Sequence, residues 1–251
     1  MTFAPAFAAM LRTSDGVRID AAHTPNDSLD LGIVIAHGFT GSWRAPCTRR
    51  ITHVLSRFGG VLSFDFRGHG RSTGESTVGD LEVLDLDAAV KHARSIGYRR
   101  VVTVGFSMGA AVAVRHAALH RGVDGIVAVS APAWWYYRGT KPMRQVHWAI
   151  ERPEGRLAAR WVKRTRIASG RWDPVPLPPF EAAALITPTP LLIVHGDADP
   201  FFPLDHPHEL YGNARDPKEM WIIPGYGHAE AAATPDLVRK IGSWIVRTKP
   251  V

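Results

Sequence analysis

A single α/β domain, built on one mostly parallel β-sheet with helices on both faces, is the architecture that the sequence predicts. Two observations carry this. Short runs such as "LGIVIAH" (31–37), "VVTV" (101–104) and "PLLIVHG" (190–196) are apolar at nearly every position, with no polar alternate. A strand with that pattern is covered on both faces, as in a parallel sheet. These runs also alternate with segments of helical spacing, which is the sequence signature of strands joined by crossover helices.

The first element reads as a hairpin, because "AFAAMLRT" and "VRIDAAHT" flank Asp15-Gly16, a two-residue turn signal. The strand 31–37 follows, then a helix over 45–57 and a strand over 60–66. Asp80 is expected to cap the next helix, with Leu81, Leu84, Ala88, Ala89, Ala93 and Ile96 on its apolar face. Glu82 near its start and Arg94 near its end both suit the helix dipole. In "VVTVGFSMGAAVAV" (101–114) a strand turns within a few residues into a close-packed helix. A strand at 125–131 comes next. Regularity then lapses until 187, where prolines 174, 176, 178 and 179 forbid a continuous helix. It resumes with strand 190–196, helix 204–214, strand 219–225 and a closing helix over 236–248. The expected organisation is therefore a core of residues 1–131 and 188–251, with 132–187 inserted at one end as a small cap.

Bulk properties narrow the classes. At 251 residues, 45% hydrophobic and 21% charged, the chain has enough material for a large self-supporting core. Cys47 is the only cysteine, so no intrachain disulfide can form. The beginning, "MTFAPAFAAMLRTSDG", carries no basic leader, and no stretch nears the ~20 apolar residues that would span a membrane. The expectation is a cytoplasmic protein without integral membrane association. The formal charge is +7, and the insertion carries most of it, with ten basic against four acidic residues. The same insertion holds five of the eight tryptophans. Basic and aromatic residues together suit a solvated helix face, an anionic ligand or a nucleic acid; no nucleic-acid motif accompanies them, and no nucleic-acid partner is expected.

The abrupt turn at 105–109 raises the chemical question. Gly105-Phe106-Ser107-Met108-Gly109 places one serine between two glycines where strand becomes helix, the context required of a nucleophile elbow. A serine hydroxyl is a weak nucleophile until a base takes its proton. Of twelve histidines, His228 in "PGYGHAE" follows strand 219–225 directly, which puts it at the same carboxyl edge of the sheet as Ser107. An acid must then hold the imidazole tautomer. Asp197 and Asp199 in "VHGDADPFFP" lie on the loop after the preceding strand. The oxyanion of an acyl-transfer reaction needs two donors. Position offers Met108 N–H, next to the serine, and Phe39 N–H in "HGFTG" after strand 31–37.

These residues resemble the α/β-hydrolase superfamily along nearly the whole chain: "HGFTGS", "DFRGHGRS", "GFSMG", "HGDADPFFP" and "GYGHAE" match its motifs in order. The resemblance implies the α/β-hydrolase fold with a small cap, and places the acid on Asp199 with Asp197 structural. It implies that "DFRGHGRS" is a structural turn, so that His69 and Arg71 take no part in chemistry. "HGFTG" with "GFSMG" looks most like serine carboxylesterases of the monoacylglycerol-lipase and cinnamoyl-esterase kind. Epoxide hydrolases and haloalkane dehalogenases carry an aspartate where Ser107 stands, and Thr40 replaces the epoxide hydrolases' proline, so Tyr136 and Tyr137 are not cast as epoxide-activating acids.

The function expected is hydrolysis of a carboxylic ester through an acyl-enzyme. Ser107 is the nucleophile, His228 the base, Asp199 the acid, and Phe39 and Met108 the oxyanion donors. This chemistry requires no metal and no organic cofactor. A tryptophan-rich cap fits an apolar or aromatic acyl group on a small-molecule ester. Its arginines raise a rival, a thioesterase or other acyl hydrolase of an anionic substrate. A hydrolase fold used only to bind a small molecule is the alternative from another class.

Overall fold

The computed structural model describes residues 6–248; the outermost five and three residues of the expected core lie outside them. Eight strands form one sheet in the order β1-β2-β4-β3-β5-β6-β7-β8. The expected hairpin is β1 (Phe7–Arg12) and β2 (Arg18–Thr24), which pair antiparallel with Phe7 opposite His23. β2 also runs antiparallel to β4 (Gly60–Phe64). From β4 onward every pairing is parallel, through β3 (Leu31–Ala36), β5 (Arg100–Phe106), β6 (Gly125–Val129), β7 (Leu191–Gly196) and β8 (Lys218–Ile223). β3, β4, β6 and β7 are buried at every position, as unbroken apolar runs require.

Two hydrophobic layers cover the sheet. On one face, α2 (Glu82–Ile96), α3 (Met108–Leu119), α6 (Pro179–Ala183) and α7 (Asp205–Asn213) bury Leu86, Val90, Ala110, Ala113, Ala182 and Leu210. On the other, α1 (Pro46–Leu55) and α9 (Pro235–Arg247) bury Ile51, Leu55, Leu237, Ile241 and Trp244. α9 begins with Pro235 at its first turn and Thr234 as cap, whose hydroxyl accepts the Leu237 N–H at 3.2 Å.

α2 differs from expectation in two ways. Asp80 does not cap it; the Asp80 carboxylate pairs with Arg115, and Leu81 is the capping residue without a side-chain bond. The Glu82 carboxylate is buried instead and accepts the N–H groups of Thr77 and Gly79, each at 2.9 Å. A longer acidic side chain curling backward outcompeted the shorter one ahead of the helix. The buried stripe is correspondingly rotated to Val83, Leu86, Ala89, Val90 and Ala93, and Leu81 is exposed.

Between β6 and β7 the chain forms α4 (Lys141–Glu151), α5 (Pro153–Val162) and a non-helical return. The return is stitched to the 67–77 turn by Arg166 N–H to Gly68 O and Ser76 N–H to Arg166 O, both 2.7 Å. The Trp172 indole N–H adds a bond to Thr77 O at 2.8 Å. α6 belongs with the sheet, its Ala182 and Ala183 buried in the same layer as α3.

Candidate active site

Ser107 sits at the tip of the β5–α3 turn with φ 51° and ψ −117°, a conformation that L residues rarely hold. Such strain costs on the order of 1–3 kcal/mol and persists only where the surroundings enforce it. The two glycines are what allow the turn. A Cβ on Gly105 would stand 2.3 Å from Gly109 O, and one on Gly109 would stand 2.3 Å from Ala36 O on β3. Ser107 N–H donates to Val129 O at 2.9 Å, which pins the turn to β6. The result is a hydroxyl held outward at the beginning of α3, where the first N–H groups have no partner within the helix.

Two other loops meet it there. His228 lies between β8 and the short α8 (Ala229–Ala232), and its Nε2 is 2.9 Å from Ser107 Oγ. Its Nδ1 is 2.7 Å from Asp199 Oδ2. With a carboxylate on one side and a hydroxyl on the other, the ring donates from Nδ1 and accepts at Nε2. Phe201 lies over the imidazole with ring centroids 4.3 Å apart. Burial pushes the Asp199 carboxyl up, but the His228 hydrogen bond and charge outweigh it, helped by the N–H groups of Phe201 and Phe202. The carboxyl titrates below the ordinary range and stays ionised at neutral pH. Asp197 takes the structural place: its Oδ1 accepts the Gly225 N–H at 2.7 Å and so holds the base of the histidine loop.

The loop after β3 closes the fourth side. Phe39 and Met108 border the same cavity as Ser107 and His228. Two buried, neutral histidines brace this loop. His37 donates from Nδ1 to Gly38 O at 2.7 Å and accepts the Phe66 N–H at 3.1 Å. His69 donates from Nδ1 to Arg67 O at 2.9 Å and accepts the Thr40 N–H at 3.1 Å. Burial lowers the pKa of each to about 4, with the neighbouring ring adding to the effect at His69. His69 therefore braces the loop that carries Phe39, while Arg71 is exposed. The rest of the "DFRGHGRS" turn is structural as well. Asp65 accepts from Ser42 Oγ and Trp43 N–H, both at 2.7 Å, and Arg67 pairs with Asp15 and Asp85, both at 2.8 Å.

Glu230 is a residue that sequence reasoning missed. Its carboxyl accepts the Gly38 N–H at 2.6 Å and borders the cavity. One signal was available: a lone acid in "GYGHAEAAA", two places after the histidine and otherwise among small residues.

A cavity of about 1520 Å³ opens above Ser107 and His228. Apolar side chains from α4, the segment before it and the return form much of its wall, among them Trp134, Met143, Val146, Trp148 and Trp172. Arg138, Arg152, Lys163 and Arg171 also border it. The space exceeds the few hundred Å³ of an ordinary small-ligand pocket. Among the described residues no helix is long and apolar enough to cross a membrane.

The arrangement can activate a hydroxyl at the floor of a chamber whose wall is both apolar and basic. Residues 33–241 match the sequence profile of the alpha/beta hydrolase family. A monoacylglycerol lipase of Mycolicibacterium smegmatis is 29% identical over 258 residues, covering 85% of this chain and 87% of the lipase. The protein YfhR of Escherichia coli, whose function is uncharacterized, is 29% identical over 227 residues, 86% of this chain and 71% of YfhR. A solved esterase of Pyrococcus furiosus superposes with a TM-score of 0.78 at 26% identity, covering 98% of this chain and 92% of the esterase.

Proposed function

The chain belongs to the alpha/beta hydrolase family, and from that premise we propose that it is a serine hydrolase cleaving carboxylic esters through an acyl-enzyme. One observation carries the proposal: Asp199, His228 and Ser107, from three different loops, form one hydrogen-bonded chain. The similarity to a monoacylglycerol lipase and to an esterase supports the substrate class.

In this mechanism Ser107 Oγ attacks the ester carbonyl carbon as its proton passes to His228 Nε2. Asp199 keeps the ring oriented and stabilises the imidazolium. The carbonyl oxygen becomes an oxyanion and takes hydrogen bonds from the N–H groups of Phe39 and Met108. His228 then gives its proton to the leaving alkoxide oxygen, the C–O bond breaks, and Ser107 carries the acyl group. Water then gives a proton to the same Nε2 as its oxygen attacks the acyl carbon. The bond from that carbon to Ser107 Oγ breaks as Nε2 returns the proton to Oγ, and the acid leaves. Within the expected insertion 132–187, the part before α6 acts as the cap, α6 being packed with the sheet. Helices α4 and α5 border a chamber for an apolar or aromatic acyl group.

The basic residues on the chamber wall favour a second reading, an acyl hydrolase or thioesterase whose substrate carries a carboxylate or phosphate. Kinetics on paired esters tests both. The protein with Ser107 intact should hydrolyse neutral p-nitrophenyl esters, and Ser107→Ala should not. If turnover requires a negatively charged substrate and falls steeply with salt, the second reading takes over. No turnover of any ester or thioester by the folded protein removes both.

A further inference from the structure

The loop between β3 and α1 has its N–H groups claimed from two sides. Gly38 N–H donates to Glu230 Oε1, and Thr40 N–H to His69 Nε2. Between them lies Phe39, which borders the cavity, and Thr40 holds the kink with φ 61°. Glu230 itself is on a rigid mount. Its neighbour Ala229 donates its N–H to Ser130 Oγ at 3.1 Å and accepts the Tyr226 hydroxyl at its carbonyl, 2.7 Å away. The packing is tight: a Cβ on Gly38 would stand 3.3 Å from Glu230 Oε2 and 3.3 Å from Ser107 Cβ.

From this geometry we infer that Glu230 is a positioning residue. By holding Gly38 N–H from the histidine loop, it steadies the residue whose carbonyl, in the same peptide as Phe39 N–H, is held by His37 Nδ1 at 2.7 Å and Gly41 N–H at 2.9 Å. The proton acceptor His228 and the oxyanion donor thus form one mechanical unit. The inference rests on the serine-hydrolase proposal, since it assigns a task within that reaction. A carboxyl is costly to bury, and burial does push that of Glu230 above the ordinary range, against the Gly38 N–H, its own N–H and the charge of His228. A fold that needed only to fill this space could do so with an apolar side chain. An acceptor is needed where a loop N–H must be held in one direction. With Gly38 N–H taken by Glu230 and Gly38 O by His37 and Gly41, both peptides flanking Gly38 are held.

The test compares Glu230→Gln, Glu230→Asp and Glu230→Ala on a p-nitrophenyl ester, together with inhibition by an alkyl trifluoromethyl ketone. That ketone adds to the serine and leaves an O⁻ where the oxyanion would sit. Glu230→Ala, and Glu230→Asp with its acceptor drawn back by one methylene, should lose about tenfold or more in kcat with KM within about threefold. Their ketone Ki should rise by the same factor as kcat falls. Glu230→Gln keeps both reach and acceptor and should lose less than about threefold. A merely structural role would lower thermal stability without this split. Wild-type kcat in Glu230→Ala, or a loss as large in Glu230→Gln as in Glu230→Ala, overturns the inference. If the shortened variants do not fold, the wild-type protein still decides. Its Gly38 amide must be protected from exchange and shifted downfield by NMR, and a freely exchanging Gly38 amide overturns the clamp. Should the wild type hydrolyse no ester while that amide is protected, the proposed reaction fails and the contact stands.

Discussion

Gly109 lies against Ala36 so closely that no other residue fits between helix α3 and strand β3; a Cβ there would be 2.3 Å from the Ala36 carbonyl oxygen. The contact is backbone against backbone, so no side chain can swing away to relieve it. Gly109→Ala should therefore push α3 outward, destabilising the fold by about 1–3 kcal/mol and displacing Ser107 from His228. Urea denaturation and esterase assays check both. An alanine variant with unchanged stability and turnover would contradict the packing.

The division of labour between the two loop aspartates predicts unequal losses. Asp199→Asn leaves the shape but offers Nδ1 a donor in place of a carboxylate, so kcat should fall by about 10³–10⁴. Asp197→Asn still presents an oxygen to the Gly225 N–H, and its effect should stay within about tenfold. Steady-state kinetics on both variants decide. Equal losses would mean that the acid has been misassigned.

Much of this was legible because the relevant signals are local. Uninterrupted apolar runs mark the strands of the sheet interior, and the glycines flanking Ser107 mark a turn crowded by the backbone of Gly109 and Ala36. Chain order brought Ser107, Asp199 and His228 to one edge without any knowledge of distances. What escaped notice depends on contacts across long separations. Glu230 reaches Gly38 across 192 positions and His69 reaches Thr40 across 29, and nothing beside either residue states the partner. The Asp80 cap failed for the reverse reason. Local propensity favoured it, but Arg115, brought close by α3, claimed its carboxylate and left the turn to Glu82.

Acid should weaken the fold through its buried neutral histidines. His37, His69 and His206 each have a pKa lowered to about 4, in every case chiefly by burial. Above about pH 6.5 both the folded and the unfolded chain leave these rings neutral, and their contribution is complete. As pH falls from there toward 4 the unfolded chain takes up protons that the folded one refuses, so stability declines. The raised carboxyls of Asp65 and Glu230 act in the opposite sense, and a difference measurement isolates a ring. His69→Gln should be less stable than wild type at pH 7 yet lose stability more slowly between pH 7 and 5 in urea titrations. Parallel slopes would contradict a neutral His69.

The size and lining of the chamber predict a preference for long acyl groups. A p-nitrophenyl series from acetate to decanoate should show kcat/KM rising with length, each buried methylene adding up to about 0.8 kcal/mol. Trp148→Ser, which removes part of the apolar wall, should flatten the rise while leaving acetate hydrolysis within about twofold. A wild-type series flat or falling beyond butyrate would contradict an acyl chamber.

Everything proposed for the chemistry depends on a hydroxyl made nucleophilic by its neighbours, and a fluorophosphonate reads that property without any assumption about substrate. Intact-mass spectrometry of the treated native protein should show one adduct, carried by the peptide that contains Ser107. The adduct should be absent in Ser107→Ala and slowed at least about a hundredfold in His228→Ala. An unmodified native protein, or an adduct that persists in Ser107→Ala, would contradict the account.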